Sequence, residues 1–191
     1  MEVQPEAVVI GASAGALEAL SVILPRLPAT FPLPVMVVVH IPPDRSSVLA
    51  DLFRAKCQVP VAEAEDKEPI VPGTIYFAPP DYHLLIEANK CLALSSDEPE
   101  LFSRPSIDVL FETAADAYGA GLIAIILTGA NHDGAKGLRA VIDAGGTAFV
   151  QDPQGAFASA MPTAAIALGP EARVMSLEQI AAHLQEVRER P

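Results

Sequence analysis

The stretch Ala7-Val8-Val9-Ile10-Gly11-Ala12-Ser13-Ala14-Gly15-Ala16 decides the fold. Its four leading apolar residues read as a buried strand. They break into a turn of small residues, and Leu17, Leu20, Val22, Ile23 and Leu24 then read as a helix. Strand, glycine turn and helix together open an α/β domain. Gly11-Ala12-Ser13-Ala14-Gly15 also fits G-x-S-x-G, a turn that holds a nucleophilic serine clear of a sheet. Ser13 falls near the helix N-terminus, where free N–H groups favour developing negative charge.

Outward from this unit, strand and helix signals alternate. Val35–Val39 is a second strand with His40 at its C-terminal end. Ile41-Pro42-Pro43-Asp44 is a loop, and Ser46 or Ser47 caps a helix carrying Leu49, Leu52 and Phe53. Residues 60–95 change character. Thr74–Ala78, His83–Glu87, an Asn89-Lys90 turn and Cys91–Ser95 predict a small antiparallel insert. Ser106 caps a helix closed by Gly119, and Leu122–Leu127 has the continuous apolar character of a strand covered on both faces. A turn through Asp133-Gly134 leads into a helix that ends at Gly145-Gly146. Thr147–Gln151 is another strand. Ser176 and Gln179 form a capping box for a last helix from Leu177 to about Arg188. The expected fold is α/β: a doubly wound, mainly parallel sheet flanked by helices, with a small antiparallel β insert. Residues 1–191 are read as one domain.

Bulk properties narrow the function. The chain is 51% hydrophobic with a mean hydropathy of +0.34, which favours a well-buried core over disorder. No apolar run reaches the ~18 residues of a membrane span. The N-terminus lacks a basic region and an apolar stretch, so no signal peptide is read and a cytoplasmic location is expected. Cys57 and Cys91 lack metal-ligand spacing and read as reduced thiols. A net charge of −12 argues against nucleic acid and anionic membrane as partners. An acidic protein partner would need a local basic patch, to which Arg45, Arg54, Lys56 and Arg104 could contribute.

In open α/β sheets, functional groups gather beyond the C-terminal ends of the strands. Ser13, His40 and Asp133 all stand in such turns. A serine needs a base, histidine suits that role near neutral pH, and the histidine needs an acceptor on its other nitrogen. Each residue also has a plainer reading: a helix cap for Ser13, a backbone-bonded strand end for His40, a cap on the helix opening at Gly134 for Asp133. Three separate turns with complementary chemistry favour the joint reading. The competitors are weaker. His132 sits beside Asp133, His83 is a rim or substrate contact in the insert, His183 is solvated on the last helix, and Asp108 suits the dipole of its own helix.

Five ordered segments carry a family resemblance: Val9–Gly15, His40-Ile41-Pro42-Pro43, Ile75–Asp81, Arg104–Phe111 and Leu127–Ala135. Across about residues 7–188 the sequence resembles the chemotaxis protein-glutamate methylesterases of CheB type. The resemblance implies a Ser13–His40–Asp133 triad acting on γ-glutamyl methyl esters of cytoplasmic chemoreceptor helices or a related signalling protein. It implies no cofactor and no metal, and glutamine deamidation as a further activity. Backbone N–H groups of Ala14 and Ala130 are the candidate oxyanion donors, and Arg104 and His83 the candidate substrate contacts. Two departures stand out. Ala14-Gly15-Ala16 replaces the usual Thr-Gly-Gly, and Ala130-Asn131-His132 stands where the family usually starts with methionine. Only six residues precede the first strand, so no receiver domain is read here, and constitutive activity is expected. The rival readings are a non-catalytic docking module of the same fold and, more remotely, a nucleotide-binding domain. The latter lacks the G-x-G-x-x-G spacing and a ribose-binding acid at the end of its second strand.

Overall fold

Strand β1, Ala7–Ala12, lies at the centre of the sheet with all six residues buried. The structure is a computed structural model that describes residues 3–41 and 48–187. The expected Pro42-Pro43-Asp44 loop, the Ser46 or Ser47 cap, Arg45 and Arg188 lie outside the described residues. Next in the chain come α1 (Ala16–Ile23), β2 (Val35–Val39), α2 (Leu49–Arg54), β3 (Val61–Glu63) and β4 (Ile75–Phe77). These are followed by β5 (His83–Ile86), β6 (Leu92–Ser95), α3 (Ile107–Tyr118), β7 (Leu122–Ile126) and α4 (Ala135–Asp143). The chain closes with β8 (Thr147–Gln151), α5 (Ala160–Leu168), β9 (Arg173–Met175) and α6 (Leu177–Gln185).

Among the described residues, seven strands form a parallel sheet in the order β3-β4-β2-β1-β7-β8-β9. The order reverses at β1. The chain moves from β1 to one side and later returns as β7 on the other. Such a reversal leaves a crevice beyond the strand ends. Side-chain alternation gives the sheet two cores. Val8, Ile10 and Ala12 pack with α1, α2 and α6, whereas Ala7 and Val9 pack with α3, α4 and α5. Burying each Val, Leu or Ile contributes roughly 1.5–3 kcal/mol.

Gly11 sets how closely one helix crosses β1. A Cβ there would lie 2.4 Å from Ile107 Cγ2, so only glycine lets the start of α3 approach the strand end. The Ser106 cap on α3 and the Ser176–Gln179 capping box on α6 are both formed.

The predicted insert is smaller than expected. Ile75–Phe77 joins the main sheet, parallel to both β2 and β3. All three of its residues are buried, so the strand is covered on both faces and belongs in the interior. Only β5 and β6 form the antiparallel hairpin, turning through Asn89-Lys90. Helix α5 and edge strand β9 had no sequence signal. Ala160–Leu168 is apolar nearly all round with Pro162 in its first turn, so it shows no helical period. β9 has only three residues. Among the described residues, no helix is long and apolar enough to cross a membrane.

Candidate active site

Strand register brings Ser13 and His40 together. Ala12 of β1 is the register partner of Val39 of β2, and His40 N–H donates to the Ala12 carbonyl at 3.2 Å. Ser13 and His40 therefore leave adjacent strands side by side, neighbouring strands lying about 4.8 Å apart in the hydrogen-bonding direction. On the other flank, Ser13 N–H donates to the Thr128 carbonyl at 2.9 Å, just past the end of β7. The Thr128 hydroxyl donates to the Ala14 carbonyl at 2.8 Å and accepts from Ala158 N–H at 2.9 Å. Thr128 N–H donates to Gln151 Oε1 at 2.8 Å. These bonds pin the Ser13 turn from below. Gly15 completes it at φ 83°, a left-handed conformation that glycine adopts without strain. Among the described residues, Ser13 Oγ makes no hydrogen bond, and the N–H groups of Ala14 and Ala130 donate to no protein acceptor.

Asp133 is fully buried at the N-terminus of α3. It accepts from four donors: His40 Nε2 at 2.7 Å, Ile107 N–H at 2.6 Å, Asp108 N–H at 3.0 Å and Ser106 Oγ at 3.0 Å. Burial opposes its ionisation. The His40 hydrogen bond and the Asp108 and Ile107 N–H groups outweigh burial and hold its carboxyl below the usual range. An ionised Asp133 is an acceptor only, so in a neutral His40 the proton sits on Nε2 and the lone pair on Nδ1.

Asp133 does not cap the helix that follows it. That task falls to Asp108, whose Oδ1 accepts from Gly134 N–H at 3.0 Å and Gly137 N–H at 2.7 Å. The carboxylate from the start of α3 thus serves α4, and the carboxylate before α4 serves α3. Burial pushes the Asp108 carboxyl up to about 6, against the Gly137 N–H, and the Asp133 charge adds to the rise.

A pocket of about 300 Å³ opens beside His40, lined by Ile41, Asp81, Phe102, Ser103, Arg104 and others. Arg104 forms part of its wall. Its Nε and Nη2 donate to Asp81 Oδ1 at 3.0 and 2.6 Å, and its Nη1 to the carbonyls of Ser96 and Asp97. His83 does not stand at the rim as expected. It is 2% exposed, accepts Ser106 N–H on Nδ1 at 3.1 Å and faces the Glu98 carbonyl with Nε2 at 2.9 Å. Both nitrogens are occupied, which makes it a brace for the start of α3. His132 is exposed. His183 is half-buried rather than solvated and packs edge-on against Phe149 at 4.8 Å; burial and Arg173 lower its pKa. Burial raises the Cys57 thiol to about 11, which keeps it protonated and unreactive. Among the candidate basic residues, Arg54 bonds Asp51 and Lys56 bonds Ser21. Among the described residues, no group of three or more His, Cys, Asp or Glu could hold a metal ion.

Thr128, Gln151 and Asn131 are the site residues that sequence reasoning did not single out as contacts. Thr128 and Gln151 are polar residues at the ends of apolar strands, the one signal that could have marked them.

The fold and its crevice define a doubly wound α/β domain with a serine turn and a His–Asp pair at the sheet's reversal point. The chain belongs to the CheB methylesterase family, whose description matches residues 8–184. A Leptospira interrogans protein provisionally named protein-glutamate methylesterase/protein-glutamine glutaminase is 48% identical over 92% of this chain and 91% of its own. A Rhodospirillum rubrum protein-glutamate methylesterase/protein-glutamine glutaminase is 37% identical over 96% of this chain, which spans 49% of that relative. The Thermotoga maritima CheB methylesterase catalytic domain superposes with a TM-score of 0.92. It is 36% identical and covers 97% of this chain and 100% of its own.

Proposed function

We propose that this chain is a protein-glutamate methylesterase that uses Ser13 as nucleophile, His40 as base and Asp133 as the group that orients the base. The observation that carries the reading is the 2.7 Å His40–Asp133 bond, formed one strand away from the Ser13 turn in a chain of this family. Ser13 Oγ attacks the γ-ester carbonyl carbon while His40 Nδ1 takes its proton. The oxyanion meets the N–H groups of Ala14 and Ala130, each donor worth on the order of 10²–10³ in rate. The intermediate collapses, and His40 returns the proton to departing methanol. Water then attacks the acyl-enzyme with His40 again as base, freeing glutamate and Ser13. With a glutamine substrate the same steps release ammonia.

The substrate class is a γ-glutamyl methyl ester on a chemoreceptor helix or a related signalling protein. Arg104 lines the pocket beside His40 and is the candidate substrate contact. Phe102 and Phe157 stand exposed near the site, Phe102 in the pocket wall and Phe157 against Gly15, as apolar rim for a bound helix. Two readouts test the proposal: methanol release from methylated receptor helices by the purified chain, and labelling of Ser13 by a serine-directed phosphonate. Methanol release and labelling that both vanish in Ser13→Ala are expected. Binding of the receptor helices with neither readout would replace the enzyme with a docking module.

A further inference from the structure

Asn131 touches the base from the side opposite Asp133. Its Oδ1 accepts Asp133 N–H at 3.1 Å. That bond fixes the amide, because the flipped amide would point N–H at N–H. Its Nδ2 therefore faces His40 Nδ1, at 3.4 Å. His40 Nε2 bonds Asp133 Oδ2, so the contacts close into a ring: Asp133 N–H to Asn131, Asn131 to His40, His40 to the Asp133 carboxylate. The lone pair that must receive the Ser13 proton already accepts an amide N–H. Among the described residues, Ser13 Oγ makes no hydrogen bond in the same arrangement.

We propose that Asn131 is a resting-state latch on His40: it occupies the nitrogen that Ser13 needs and swings aside when substrate enters. The proposal rests on the reading of His40 as the base. Chemistry requires the movement. Once Nδ1 carries the Ser13 proton, the Asn131 N–H would face another N–H, so the latched arrangement opposes the imidazolium. The bond is also easy to break. At 3.4 Å it lies beyond the usual 2.7–3.2 Å range of N–H hydrogen bonds, and an incoming carbonyl oxygen offers the amide a better acceptor. Asn131 is thus a positioning residue. It keeps the empty site from activating its serine, and it couples activation to the arrival of a substrate carbonyl.

The ring nitrogens report the latch without any substrate. In the wild type, the ¹⁵N resonance of His40 Nδ1 should move on Asn131→Ser and stay in place on Ser13→Ala. In the Asn131→Ser background, Ser13→Ala should then move it, because Ser13 has taken the vacated lone pair. Serine retains a side-chain oxygen to accept Asp133 N–H but is too short to reach His40. Asn131→Ala provides a variant with no side-chain donor at all. In parallel, phosphonate labelling of Ser13 should run roughly two- to tenfold faster in Asn131→Ser, the equivalent of one net hydrogen bond. A wild-type Nδ1 resonance that shifts on Ser13→Ala overturns the latch, as does labelling that is equal or slower in both Asn131 variants. If no protein labels while the resonance pattern holds, the latch stands and the esterase reading fails.

Discussion

Asp108 should make the protein less stable as pH rises, and Asp108→Asn should remove that dependence. In the folded state burial pushes this carboxyl up to about 6 from its ordinary value of 3.8. The folded protein therefore binds the Asp108 proton more tightly than the unfolded chain does. Below pH 3.8 both states are protonated and nothing is lost. Between 3.8 and about 6 the unfolded chain gives up this proton while the folded state holds it, so stability falls, and the loss is complete once pH has risen past about 6 and the folded carboxyl has ionised. The full loss is on the order of 3 kcal/mol, and about half of it falls between pH 5 and pH 8. Asparagine keeps the Oδ1 that accepts Gly134 and Gly137 N–H and removes the charge. Asp133 shifts the opposite way, but it is present in both proteins and largely cancels in the difference.

The assay is urea unfolding of wild type and Asp108→Asn at several pH values from 5 to 8. The variant should gain on the wild type mostly between pH 5 and about 7, level off above that, and be the more stable protein at pH 8. Asp108→Ala is the control. It leaves two backbone donors without their acceptor, which costs about 1–3 kcal/mol each, so it should be less stable than Asp108→Asn at every pH. A difference between wild type and Asp108→Asn that stays flat with pH would refute the reasoning.

Ser13→Ala should abolish esterase activity, by on the order of 10⁶ in turnover, with an unchanged melting temperature, because the turn is held by backbone and Thr128 bonds. Asp133→Asn should lower turnover on the order of 10⁴ and also destabilise the fold. Its NH₂ would replace an oxygen that now accepts only from N–H and O–H donors, so thermal melting checks the second effect. Gly11→Ala should destabilise by about 1–3 kcal/mol through collision with Ile107, and Ile107→Ala in the same chain should recover part of that in urea unfolding.

Much of the frame is legible in sequence because it depends on local runs. Ala7–Ile10, Val35–Val39 and Leu122–Ile126 are apolar without interruption, and strands that must be covered on both faces read that way. Ser13, His40 and Asp133 could be named because all three follow such strands. What stays hidden depends on distance through space. The exchange of caps between Asp108 and Asp133 requires α3 to cross close over β1, and that approach rests on the contact of Ile107 with Gly11, a residue far from both carboxylates in sequence. His83 reads as a rim or substrate contact because it falls in the β insert. It is buried because the α3 entry supplies Ser106 N–H as a partner.

The departures from the family's usual motifs acquire meaning from the same geometry. Replacing threonine by Ala14 after the serine removes a hydroxyl, but the turn does not depend on it. Thr128 reaches in from the end of β7 and holds the Ala14 carbonyl. At Ala130 and Ala14 the candidate contribution to an oxyanion is the backbone N–H, which any residue but proline supplies. A side-chain change there leaves the donors in place. Asn131 differs in kind, since its amide reaches the imidazole itself. The two alanines leave the reacting groups untouched, whereas Asn131 acts on the base, and activity in this chain should be more sensitive to Asn131 than to either alanine.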